Sequence, residues 1–363
     1  MKVLVVKTSS MGDLVHAQPI VADMRRHHPE VRVDWVCEAP FAPIPALNAG
    51  VAQVIPMRWR SWRRRLTDPQ TRQAIGEFVN RLRSQRYDWV IDCQGLIKSA
   101  VLTRLARGAR RAGFAWSSAR EPLASLGYDR RAQVPWSLHV VERNRAVAAA
   151  ALGYAVEGPA RFGLRAPALL AHWVPPRGAY AVLITGASRP GKLWTAAGWL
   201  SVAGDLLDRS LDLVWLWGDA AEHERACALA ASAGAPWEDA GVRNGAPGAT
   251  HDGSWDGAAP RSVVPPFLSV ADAASLLDGA AVVVGLDTGF THLAGALGRP
   301  TVAVFCDFDA TQCAVSGDGP CASFGGVGQQ PDSAEIREGV ARVLAAAAPP
   351  ADAQSRTTPI PAR

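Results

Sequence analysis

The sequence predicts an α/β protein made of two doubly wound parallel sheets that face each other across a cleft. Short apolar runs alternate with helical patterns along most of the chain, the alternation lapses once near the middle and then restarts, and the 363 residues suit about two domains. A content of 48% hydrophobic and 20% charged residues is that of a chain with a buried core, which excludes wholesale disorder, collagen and coiled coil.

The first series opens with the run KVLVVK at 2–7, a polar turn, and a helical stretch from Asp13 to about His27. Further strands are expected at 31–38, 51–57, 87–94 and 110–115. From 158 to 178 the pattern gives way to a stretch rich in Pro, Ala and Gly, read as the connection between domains 1–165 and 166–348. The second series has strands at 180–187, 211–217, 281–287 and 301–306, with helices near 195–208, 222–234, 270–278 and 291–298. Residues 237–260 lack periodicity and are expected to form a mobile surface insertion. Residues 333–347 have helical composition, and 349–363 read as a disordered tail.

Lys and Arg exceed Asp and Glu by 38 to 33, a net charge of +5 that favours anionic ligands or membrane surfaces without specifying one. No uncharged apolar run reaches the roughly 18 residues of a membrane helix. Residues 1–13 read as strand and loop, not a signal peptide, so a cytoplasmic location is expected. Cysteines 37, 93, 227, 306, 313 and 321 show no CxxC or His-paired metal spacing and are read as buried small hydrophobes.

Open parallel sheets bind ligands at the carboxyl ends of their strands, so the residues there are the candidates for chemistry. Thr8 to Asp13 gathers hydroxyls, N–H groups and a carboxylate. Asp13 suits a helix cap and, within reach of an acceptor hydroxyl, also a general base. Asp287-Thr288-Gly289-Phe290-Thr291-His292 follows an apolar strand and opens a helix, suiting either a diphosphate cradle or a tight turn. The loop Ser188 to Lys192 stands at the same place after the first strand of the second half. It could neutralise a departing diphosphate or simply be a solvated basic loop. Neither GxxxxGK[ST] nor GxGxxG is present. Glu222, near the end of another strand, could meet ribose hydroxyls or cap its helix. Residues 57–65, MRWRSWRRR, place five arginines and two tryptophans in nine positions, which fits an anionic partner such as a phosphorylated or carboxylated glycolipid.

Together the segments KTSSMGDLVHAQP (7–19), DWVCE (34–38), IPMRWRSWRRR (55–65), YDWVIDCQGLIKSA (87–100), AREPLAS (119–125), VERNR (141–145) and GLDTGFTHLAGALGRPTVA (285–303) resemble the ADP-heptose lipopolysaccharide heptosyltransferases. The resemblance spans nearly the whole chain. It implies a glycosyltransferase-B fold, with two Rossmann-like halves and the C-terminal helix packing back onto the first. It further implies Asp13 as general base and a donor pocket of Ser9, Ser10, Gly12, Ser188, Lys192, Glu222, Asp287, Thr288, Gly289 and His292. The acceptor would be the Kdo region of Kdo-lipid A, met by Arg60, Arg63, Arg64, Lys98, Arg120 and Arg143. ADP-heptose is then a substrate, no metal or other cofactor is implied, contact with the inner membrane is peripheral, and nucleic acid is not expected. The chain departs from the family pattern at Ala187, at Cys306 to Asp309 and in the 237–260 segment. Two other readings share the cleft and the basic patch: a family member that adds heptose to heptose, and a noncatalytic nucleotide- or nucleic-acid-binding protein. Catalytic dependence on Asp13 separates the enzymes from the latter.

Overall fold

The computed structural model describes residues 1–167, 173–187, 189–241 and 260–348. Ser188, the 242–259 part of the expected insertion and the 349–363 tail therefore lie outside the described residues.

The first half holds β1 (Lys2–Val6), β2 (Arg32–Glu38), β3 (Val51–Met57), β4 (Tyr87–Asp92), β5 (Gly108–Phe114) and β6 (Arg130–Ala132) in the spatial order β3-β2-β1-β4-β5-β6. All neighbours are parallel. The second half holds β7 (Tyr180–Ile184), β8 (Asp212–Leu216), β9 (Trp237–Asp239), β10 (Ser262–Val264), β11 (Val282–Leu286), β12 (Thr301–Phe305) and β13 (Cys321–Gly325). Its order is β13-β12-β11-β7-β8-β10-β9, again parallel throughout. Helices cover both faces of each sheet, so central strands such as β1 and β11 are apolar without alternation.

β6, β9, β10 and β13 were not expected. They are short, and segments such as Trp-Glu-Asp at 237–239 carry no apolar pattern of their own. Hydrogen bonds from an existing neighbour hold them in place. The expected insertion thus begins as a strand. Asp68, Thr195, Asp219, Ser269 and Asp332 cap their helices through side-chain oxygens, each such cap being worth about 1 kcal/mol.

The Ser333–Ala347 helix does not pack on the first half. Ile336, Val340 and Val343 form one apolar stripe at helical spacing, buried with Trp199, Val202, Val302 and Val304 of the second half. The Trp194 indole N–H donates to the Pro331 carbonyl at 3.1 Å and fixes the approach to that helix. The connection between the halves is likewise pinned. Phe162 is fully buried, its carbonyl accepts from Asn48 at 3.3 Å, and the N–H groups of Phe162 and Gly163 both donate to the Asp318 carboxylate. Leu14, Val15 and Ile44 of the first half share one core cluster with Leu276, Leu277 and Leu293 of the second.

Arg145 shows how the first half is locked. Only 1% exposed, it makes a two-pronged pair with Asp23 at 2.8 and 3.0 Å, and its third nitrogen reaches Glu142 and the Gly158 carbonyl. Removing one partner of a buried pair strands the other, at a cost of about 3–5 kcal/mol. Arg145→Ala should therefore lower the urea midpoint of unfolding, followed by circular dichroism, whereas Arg26→Ala, at an exposed pair with Glu157, should leave it nearly unchanged.

Candidate active site

Each sheet reverses its winding direction beside its first strand, between β1 and β4 and between β7 and β11. Chain leaving those strands meets across each reversal, where a crevice opens. In the first half, the Lys7 ammonium donates to the Cys93 carbonyl at 2.7 Å, and the Gln94 side-chain oxygen accepts from the N–H groups of Thr8 and Ser9. In the second half, Lys192 donates to Asp287 Oδ2 at 2.5 Å, and His292 Nε2 lies 3.1 Å from Asp287 Oδ1.

The two crevices face each other because the Met11–His16 and Gly289–Ala296 helices abut at their first turns. A Cβ at Gly289 would lie 2.6 Å from the Met11 Cγ, and one at Gly12 would lie 3.5 Å from the His292 ring. Only glycine admits the first approach without displacing Met11. Asp13 sits in the first turn of its helix. Its Oδ2 accepts from the Ser10 N–H at 2.7 Å and the Ser10 hydroxyl at 3.1 Å, while Oδ1 lies 3.9 Å from the Lys7 ammonium. Capping leaves this carboxylate accessible: both oxygens have polar neighbours, yet its side chain remains 29% exposed.

Burial alone would raise the Asp287 carboxyl, but hydrogen bonds and charge from His292 and Lys192 outweigh it and hold it below the usual carboxylate range. Thr288 stands at the start of the Gly289–Ala296 helix without a side-chain capping bond, and the N–H groups of that first turn suit an anion. The departure at Cys306 to Asp309 has a role in this wall: Phe308 lies under Lys192, 5.6 Å from its nitrogen, and Asp307 pairs with Arg189 at 3.7 Å. Glu222 accepts from the Gly218 N–H at 2.8 Å and lies directly over Gly186, where any Cβ would collide with it. Burial raises its carboxyl.

The basic segment forms a bowl. Arg60, Ser61, Arg63, Arg64 and Arg65 line an open cavity of about 650 Å³, and Glu38 with Arg58 and Arg60 borders the adjoining one. Lys98 reaches the Ser9 hydroxyl at 3.4 Å and feels the charges of Glu38, Arg60 and Arg63, linking the bowl to the cleft. Arg120 is exposed, its backbone N–H against Gly95 at the end of β4. Arg143 requires correction. Its guanidinium is buried and donates to the carbonyls of Val134, Pro135 and Ser118 while stacking 3.8 Å from the Trp136 ring. It braces the loop and is not available to an acceptor.

Sequence reasoning passed over Lys7, His16 and His139. The His16 and His292 rings stand 4.3 Å apart edge to face, with the His139 ring 6.2 Å from that of His16. His139 also reaches the Ala314 carbonyl of the second half at 3.0 Å. The histidine after the Thr8–Asp13 loop was the available signal. Cysteine placement also differs from expectation: Cys37, Cys93 and Cys306 are buried, but Cys227, Cys313 and Cys321 are only half-buried. His223 and Cys227, four residues apart on one helix, do have a His-paired spacing.

A cleft between two such sheets, with a carboxylate on one wall and a cation beside a helix N-terminus on the other, suits a transferase whose leaving group is anionic. The chain belongs to glycosyltransferase family 9 (heptosyltransferase), whose pattern it matches over residues 75–242 and 256–320. It is 38% identical over 331 residues to lipopolysaccharide heptosyltransferase 1 of Pseudomonas aeruginosa, covering 89% of this chain and 85% of that one. With lipopolysaccharide heptosyltransferase 1 of Escherichia coli K12 the identity is 37%, covering 84% and 88%. The structure of E. coli heptosyltransferase WaaC with ADP superposes with a TM-score of 0.79 at 33% identity, covering 94% of this chain and 99% of that one. This chain is accordingly a glycosyltransferase with the glycosyltransferase-B arrangement that the resemblance implies.

The histidines between the halves make their packing acid-sensitive. Burial first, then the charges of His292, His139 and Lys7, hold the His16 pKa well below 6.5. Burial also lowers His139. The unfolded chain therefore binds a proton at His16 before the folded one does, so the stability contributed above about pH 6.5 is lost as pH falls toward the folded value. Lowering the pH from about 8 to about 5.5 should reduce the melting temperature, and His16→Gln should show a smaller drop. An equal drop in both would place the sensitivity elsewhere.

Proposed function

We propose that this chain transfers L-glycero-D-manno-heptose from ADP-heptose to a Kdo hydroxyl of Kdo-lipid A in inner-core lipopolysaccharide synthesis, with inversion at the anomeric carbon. The observation that carries the reading is the opposition of Asp13 on one wall to Lys192, Asp287 and the Gly289–Ala296 helix start on the other. E. coli WaaC has been solved with ADP and with ADP-2-deoxy-2-fluoro heptose, ligands of the proposed donor class.

In this reading the second half binds the donor and the first half the acceptor. Asp13, aimed by Ser10 and Lys7, takes the proton from the acceptor hydroxyl. That oxygen attacks the anomeric carbon, the bond to ADP breaks, and its electron pair leaves on the β-phosphate oxygen. One displacement inverts the centre. Lys192, exchanging Asp287 for phosphate, and the helix N-terminus stabilise the charge that develops on the diphosphate. Ser9, Ser10 and Gly12 approach the donor from the facing loop, His292 and Asp287 shape its pocket, and Glu222 meets the ribose. Arg60, Arg63, Arg64, Lys98 and Arg120 face the carboxylates and phosphates of the acceptor.

An apolar face beside the bowl suits a lipid acceptor. Ile97, Val101 and Leu105 recur every fourth residue along the Ile97–Leu105 helix and are exposed, as are Leu123 and Leu126 on the Pro122–Gly127 turn packed against it. Trp116 and Trp136 are half exposed nearby, the latter tied to the Ser117 carbonyl. Apolar residues with interfacial tryptophans and arginines dock on anionic bilayers. Among the described residues no helix is long and apolar enough to cross one. The proposed site of action is the cytoplasmic face of the inner membrane.

ADP release from ADP-heptose, with and without Kdo-lipid A, tests the reading. Acceptor-dependent release should fall on the order of 10²–10⁴-fold in Asp13→Ala while ADP binding persists; unchanged turnover would remove Asp13 from the mechanism. Release only with heptosylated core would reassign the acceptor. Replacing Arg60, Arg63 and Arg64 by Ala should raise KM for the acceptor and leave that for the donor, whereas equal losses would indicate damaged folding. Leu123→Asp with Leu126→Asp should weaken sedimentation with anionic vesicles.

A further inference from the structure

Beside Glu222, three side chains of different donor chemistry converge on one point. His223 and Cys227 lie one turn apart on the Ala220–Ser232 helix, and Asp239 ends β9. His223 Nε2 is 3.2 Å from Asp239 Oδ2, and Cys227 Sγ is 3.7 Å from that nitrogen and 3.6 Å from that oxygen. All three residues are half-buried, so the site is reachable from solvent.

We propose that His223, Cys227 and Asp239 bind one divalent cation of the zinc class, with water in the fourth position. Bond lengths of about 2.0–2.1 Å to nitrogen, 2.3 Å to sulfur and 2.0–2.2 Å to oxygen, set at tetrahedral angles, separate N from O by about 3.4 Å and S from either by about 3.6 Å. The triangle in the protein matches those edges to within about 0.2 Å. One nitrogen, one sulfur and one carboxylate oxygen select zinc over magnesium or calcium, which take oxygen ligands.

The surroundings orient the donors. Asp239 Oδ1 accepts the Gly241 N–H at 2.9 Å, which turns Oδ2 toward the other two atoms. The His223 ring packs 4.5 Å from that of Trp217, itself tied to the Pro265 carbonyl at 2.7 Å. Such outer contacts hold metal ligands in register. Burial and the Asp239 carboxylate push the Cys227 thiol up to about 11. Binding then exchanges the thiol proton, released to solvent, for a sulfur–metal bond. The ion fastens the helix to the edge strand β9, whose neighbour in the sheet is β10. Glu222, the preceding residue, is engaged by the Gly218 N–H and is not one of the three donors. Metal binding here does not depend on the sugar-transfer reading.

The test uses the full chain, stripped with chelator and then titrated with zinc against a chromophoric chelator, and with cobalt monitored by absorption. One equivalent should bind, cobalt should show thiolate-to-metal charge transfer, and zinc affinity should fall on the order of 100-fold or more in His223→Gln, Cys227→Ser and Asp239→Asn. Cys313→Ser should bind as the wild type does. Absence of a wild-type zinc equivalent, or a cobalt complex without the thiolate band, would overturn the proposal whatever the variants do and leave only a His–Asp ion pair with a thiol beside it. Undiminished zinc affinity in the folded Cys227→Ser and Asp239→Asn variants would overturn it as well.

Discussion

The first turns of two short helices, Met11–His16 and Gly289–Ala296, touch, and the arrangement of the cleft depends on that contact. Gly289 leaves room for Met11, and the helix starts can therefore face each other directly. The strand loops that feed these helices arrive with them. Two sheets that could pack in many relative positions are thereby set with their winding reversals opposed.

Electrostatics at the contact follows from burial. Lys7 and Asp287 lie where water is scarce, and buried charges require partners. Lys7 takes a carbonyl and the edge of Asp13, while Asp287 takes Lys192 and His292. The outcome is a wall of fixed dipoles and cations beside an accessible carboxylate.

The remainder of the first half divides its many arginines by environment. Arg60, Arg63 and Arg64 follow Met57 at the end of β3 and stand in solvent around a bowl. Arg143 and Arg145, two residues apart on one helix, are interior struts, one holding loop carbonyls and the other Asp23. Identical side chains therefore face solvent or hold the interior together according to which elements surround them. The apolar face on the Ile97–Leu105 helix adds a third surface chemistry, adjacent to the basic bowl through Lys98.

The sequence by itself determined the two parallel sheets, because buried central strands must be apolar on both faces and that run is visible in one dimension. It also determined the loops that hold Asp13, Lys192 and Asp287, since those loops follow such strands. Tertiary structure alone decided the edge strands at 130–132, 237–239 and 321–325, whose hydrogen bonds come from neighbours and leave little trace in residue pattern. It decided that the Ser333–Ala347 helix lies on the second sheet, because an apolar stripe states that a helix is buried without stating against what. Burial also separated Arg143 from the exposed arginines. Finally, it brought His16 to His292, and His223 and Cys227 to Asp239, because convergence of donors from distant segments is a property of distances that the order of residues does not contain.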